Sequence, residues 1–134
     1  MKRINIKCPY CGSRAYLRPA SMVHGDHTDD AVAKLYVCAR YPACDAYVAA
    51  HRDTLLPMGT PADRNLRRKR MEAHSELNRL IDSSLMTRKQ AYRWIQVQLG
   101  LPEPEAHIAK FSELRCQKVI ELCRALSRAQ ARAA

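Results

Sequence analysis

Four of the six cysteines in this 134-residue chain fall in its first third, as Cys8-Pro9-Tyr10-Cys11 and Cys38-Ala39-Arg40-Tyr41-Pro42-Ala43-Cys44. Each short pair can wrap one edge of a tetrahedron of soft ligands, and a structural zinc takes four protein ligands with no open position. The 26 residues between the pairs leave room for a small antiparallel sheet. Pro9 restrains the first knuckle, and Gly12 allows the backbone turn that points amides at thiolates. The spacing predicts one structural Zn²⁺ held by Cys8, Cys11, Cys38 and Cys44. A thioredoxin-like dithiol would need a βαβ pattern around one C-x-x-C, and none surrounds Cys8. Disulfides would need an oxidising compartment, yet Met1 to Asn5 lacks the apolar run of a secretory signal. A cytoplasmic protein is expected, with no stretch long enough to span a bilayer. Cys116 and Cys123, seven apart on an apolar helical face, read as small core residues, with a second metal or a redox role as the alternative.

Three further groups could do chemistry. Arg14, Tyr16 and Arg18 alternate along a strand, which places two guanidiniums and one ring on the same face. Tyr10, Tyr41 and Tyr47 are candidates to join it, and such a face suits sequence-tolerant contact with single-stranded nucleic acid. Arg64, Arg67, Arg68, Lys69 and Arg70 open a helix near the positive end of its dipole, where cations are disfavoured. An external phosphate backbone or acidic partner would relieve that; Glu72 and Glu76 at helical spacing are the internal alternative. His24, Asp26, His27, Asp29 and Asp30 resemble a hydrolytic metal site in type, but all five lie in one polar loop. With no second ligand group, nucleophile motif or phosphate-binding glycine loop, a non-enzyme is expected and a metal-dependent nuclease is the alternative.

The elements that must position these groups are short. Ile4 to Cys8 and Arg14 to Arg18 read as strands around the first knuckle, and Lys34 to Cys38 and Asp45 to Ala49 around the second. Residues 1–52 form the ribbon, too small to fold without its metal. Residues 53–61 form a connector containing Pro57, Gly59 and Pro61. Residues 62–134 form a helical domain. Thr60 reads as an N-cap with Pro61 at the first helical position and Asp63 reaching back. Leu66, Ala73, Leu77, Leu80 and Ile81 follow as an apolar stripe. Thr87-Arg88-Lys89-Gln90 is a capping box, Gly100 a helix stop, and Ser112 the cap of a last helix that frays from about residue 127. A helix-turn-helix drawn through residues 65–99 shows no obvious recognition helix. The fold class is α+β: a small four-cysteine zinc ribbon followed by a three- to four-helix bundle.

The formal charge is +10. Residues 1–60 carry eight basic and five acidic side chains, and residues 61–134 carry fifteen and eight. Four thiolates around one Zn²⁺ remove two positive charges from the first part, so the basicity belongs mainly to the second. A basic chain favours polyanions, nucleic acid first.

Leu35-Tyr36-Val37-Cys38 through Tyr41-Pro42-Ala43-Cys44, with Cys8-Pro9-Tyr10-Cys11-Gly12-Ser13 and Leu17-Arg18, resembles the C-terminal zinc ribbons of bacterial type IA topoisomerases. That resemblance covers about residues 6–50 and implies contact with single-stranded DNA. A longer one, adding Tyr47-Val48, Leu85-Met86-Thr87-Arg88 through Trp94, and Glu105-Ala106-His107-Ile108, is to an uncharacterised bacterial and phage family of zinc-finger-containing proteins. It implies zinc and architecture without a reaction. The expected function is non-enzymatic binding of nucleic acid, single-stranded DNA foremost, through the Arg14, Tyr16, Arg18 and Tyr41 face and the basic helix. The alternative is an interaction module of phage or mobile-element origin that docks on a host protein, with the zinc purely structural.

Overall fold

The computed structural model describes residues 4–25 and 32–133. The chain divides into two compact units, Met1–Asn65 and Leu66–Ala134.

The first unit is built on a four-stranded antiparallel sheet in the order β1-β2-β3-β4. Its strands are β1 (Ile6–Lys7), β2 (Arg14–Pro19), β3 (Lys34–Cys38) and β4 (Tyr47–Ala49). A single turn of helix, α1 (Ser21–His24), follows β2. The register sets Ala15 against Cys38, Tyr16 against Val37 and Leu17 against Tyr36. Alternation along the strands then gives each face its own small core. Ala15, Tyr36, Val48 and Ala50 cluster on one side with Ile6 and Leu17. Ala20, Leu35 and Val37 cluster on the other, with Val23, Tyr41 and Tyr47 packed against them.

Residues 56–62 run alongside β4. Met58 N–H donates to Ala49 O at 2.8 Å, and Tyr47 and Ala62 exchange backbone bonds of 3.1 and 2.9 Å. That pairing corrects the expected helix start. Ala62 is held extended by the sheet, so Thr60 and Pro61 are not its cap and first residue, and α2 (Arg64–Asp82) begins later. The turn that returns the chain at residues 51–56 is tight: Leu55 sits at φ 60°, and the Tyr36 hydroxyl donates to its carbonyl.

The second unit holds most of α2, then α3 (Arg88–Leu99), two 3₁₀ turns at Glu103–Glu105 and Ile108–Lys110, and α4 (Glu113–Ala133). The capping signals act as their residue types dictate. Thr87 Oγ1 accepts from Gln90 N–H at 3.1 Å, and the Gln90 side chain accepts from Thr87 N–H at 2.9 Å. Ser112 Oγ accepts from Arg115 N–H at 3.3 Å. Leu66, Ala73, Leu77 and Leu80 of α2 are buried, as are Ala91 and Ile95 of α3 and Cys116, Val119, Ile120 and Cys123 of α4. α4 continues as helix through Ala133. These elements make the α+β fold that the residue pattern implies.

Candidate metal centre

The two knuckles are shaped by their own backbones. Cys8 N–H donates to Ser13 O at 2.7 Å and Gly12 N–H to Cys8 O at 2.9 Å, with Gly12 at φ +74°. That left-handed conformation suits a residue without Cβ. On the other side Tyr41 N–H donates to Cys38 O at 3.0 Å and Cys44 N–H to Arg40 O at 3.1 Å. The two loops are pinned to each other by Ala39 N–H on Arg14 O at 2.9 Å.

The result is a cluster of four sulfurs, all within 4.8 Å of one another. Cys8 Sγ lies 3.5 Å from Cys44 Sγ, and Cys11 Sγ lies 3.4 Å from Cys38 Sγ. A tetrahedral zinc with bonds of about 2.3 Å needs sulfur edges of roughly 3.8 Å, so the donor set fits one structural zinc ion. Cys8 and Cys38 are buried, whereas Cys11 and Cys44 are partly open. The thiols are unequal without a cation. Hydrogen bonding from Ser13, through its side chain and then its backbone, lowers the Cys11 thiol to about 6. Burial pushes Cys38 up to about 12. Ligation requires thiolates, so loading zinc must expel the Cys38 proton. Arg40 N–H, 3.5 Å from Cys38 Sγ, is placed to stabilise the resulting charge.

Arg14, Tyr16 and Arg18 come together as the strand period requires. Both guanidiniums lie over the Tyr16 ring, at 5.1 Å for Arg14 and 5.3 Å for Arg18. The three side chains are exposed, Tyr16 by 39%. Tyr41 is half-buried and packs against the Ala20, Leu35 and Val37 cluster. Tyr47 packs there too and meets the His24 ring edge-on at 5.8 Å. Tyr10 is engaged elsewhere. Its hydroxyl accepts Asp63 N–H at 3.1 Å, tying the first knuckle to the approach to α2.

The five-cation run is divided by its contacts. Arg70 is 8% exposed and its Nε donates to Phe111 O at 3.0 Å, while Lys69 reaches Glu72 at 3.9 Å and bonds Gln117 Oε1. Arg64 and Arg68 are exposed and Arg67 is half-buried. Asp26, His27, Asp29 and Asp30 lie outside the described residues. Cys116 and Cys123 are fully buried, and burial raises both thiols to about 11. No helix among the described residues is long and apolar enough to cross a membrane.

A family described as the zinc-finger-containing domain matches residues 4–126. The chain belongs to that family. Its span takes in the four cysteines and most of both units, so the match carries the whole architecture. No curated protein and no solved structure matches the chain. The likeness of residues 6–50 to topoisomerase ribbons therefore rests on the sequence motifs alone.

Proposed function

We propose that this zinc-finger-containing protein is a non-enzymatic module that binds nucleic acid, single-stranded DNA foremost, on the Arg14–Tyr16–Arg18 face. The observation that carries this reading is the pair of guanidiniums held over one exposed ring. The ring limits where the cations can go, so less freedom is lost when a strand arrives. With both Arg14 and Arg18 held over its ring, Tyr16 is less an open platform than an organiser. Bases stack on the outer guanidinium planes, and phosphates meet the same cations. The zinc holds β2 and β3 in register and takes no direct part.

Fluorescence anisotropy of the zinc-loaded chain with a labelled single strand tests this. Tyr16→Ala is expected to weaken binding roughly tenfold, because both guanidiniums lose the ring that holds them in place. Affinity should fall steeply with salt as counterions are released. Absence of binding at low salt would remove the reading. The exposed α2 cations supporting it are Arg64 and Arg68; Lys69 and Arg70 serve the helical unit. A second reading, docking on a host protein, draws support from Leu114. It is 80% exposed at a groove also lined by Leu99, Arg115 and Lys118.

A further inference from the structure

The helix α3 differs from its neighbours in its charges. It contains Arg88, Lys89 and Arg93 and no acidic residue along its whole length. Lys89, Arg93, Gln96 and Val97 follow one another at three- and four-residue spacing and so share a face. Ala91 and Ile95, both fully buried, occupy the opposite side. Lys89 and Arg93 are exposed, Gln96 is half-buried, and Val97 is 69% exposed.

Several cations elsewhere in this unit are answered from within. Arg124 of α4 pairs with Glu72 at 3.1 Å and Glu76 at 3.6 Å, Arg79 with Glu76 at 3.8 Å, and Arg70 with the Phe111 carbonyl. Among the described residues, none makes a hydrogen bond or ion pair with the Lys89 or Arg93 side chain. Arg88 and Lys89 also stand in the first turn, where the helix dipole already disfavours positive charge. A solvated surface ordinarily mixes both signs. A face that concentrates unanswered cations and an amide, excludes acids and leaves a valine in the open is complementary to a phosphate-lined groove.

We propose that this face of α3 is a second nucleic-acid contact and that its occupant is duplex. Tyr92 borders the face between Lys89 and Gln96, but it and Trp94 are half-buried, so the face offers no open aromatic ring for unpaired bases. A cationic helix face with a glutamine and an exposed methyl pair is suited to a major groove, where phosphates flank base edges and thymine methyls. This inference stands independently of the ribbon reading, since it uses different residues and a different polymer form.

The test compares a labelled duplex with its single strand, using the zinc-loaded full chain. The Lys89→Ala/Arg93→Ala variant should lose roughly tenfold in duplex affinity, and its salt slope should shrink by about two. Single-strand affinity should stay within about twofold, as expected for independent sites. Val97→Asp, at an open position, should weaken duplex binding without loss of helical circular dichroism. Absence of duplex binding by the parent chain overturns the proposal. So does unchanged duplex affinity in both variants, or equal losses on duplex and single strand. Tyr16→Ala in the same assay reports on the ribbon alone, so either reading can fail while the other survives.

Discussion

Among the largest fully buried side chains, the ribbon unit contributes Val37, Cys8 and Cys38, while the helical unit contributes Phe111, Leu77, Leu80, Ile95, Ile108 and Ile120. The ribbon's two apolar clusters hold four and three buried residues and are split by the sheet, so each is small. Its third cluster is the cysteine site itself, with Ala46 beside the sulfurs. The helical unit has the reverse arrangement: its aliphatic stripes are buried, and the charged side chains of Arg70 and Glu76 are buried with them. Two units of similar length thus reach order by different physics. One relies on metal coordination and the other on area removed from water.

The largest expected effect separates the two. Cys8→Ser should abolish zinc binding and unfold the ribbon, because a structural zinc supplies roughly 10–16 kcal/mol in comparable peptides. Metal analysis should read loss of bound zinc, and amide resonances of β2 and β3 should collapse toward random-coil shifts. Helical circular dichroism should survive. If it melts as well, the helical unit depends on the ribbon and the contrast fails.

Phe111→Ala probes the other side. Phe111 is fully buried, and its carbonyl accepts the Arg70 Nε bond. Truncation should cost about 3–5 kcal/mol in the helical unit. Zinc content should remain at one per chain. A variant that also loses its metal would show that the core of the second unit supports the knuckles.

The contrast also explains what can be read from the chain alone. The cysteine spacing names a metal site because ligand chemistry tolerates few arrangements, and Thr87-x-x-Gln90 and Gly100 name helix ends because backbone donors and left-handed turns do the same. Thr60-Pro61 gives the wrong start for α2 because a local capping pattern cannot show that Ala62 is engaged by β4, fifteen residues earlier. Spacing does not reveal that one of the five cations opening α2, Arg70, turns inward to a carbonyl 41 residues away. The signal in α3 is present in its lack of acids. It gains meaning only beside the structure, where Lys89 and Arg93 lack the partners that Lys69 and Arg124 have.

The smallest effect concerns two helix ends of the same design. Gly100 ends α3 at φ 65°, with its N–H on Val97 O at 3.3 Å and Leu101 N–H on Gln96 O at 3.0 Å. Ser84 ends α2 at φ 64°, with its N–H on Ile81 O at 3.0 Å and Leu85 N–H on Leu80 O at 3.2 Å. Both are Schellman closures, but a serine occupies the left-handed position in the second, where its Cβ meets the following carbonyl. Relief of that strain outweighs the extra freedom glycine gives the unfolded chain. Ser84→Gly should therefore stabilise the helical unit by about 0.5–1 kcal/mol, and Ser84→Ala should leave it unchanged. Gly100→Ala should cost a similar amount from the backbone alone, since an added Cβ there meets nothing within 4 Å. Thermal melts of the zinc-loaded protein, followed by helical ellipticity, should order Ser84→Gly above the parent chain and Gly100→Ala below it. Equal melting of all three would mean that the last turns of α2 and α3 open before the unit unfolds, so that their closures do not bear on the core.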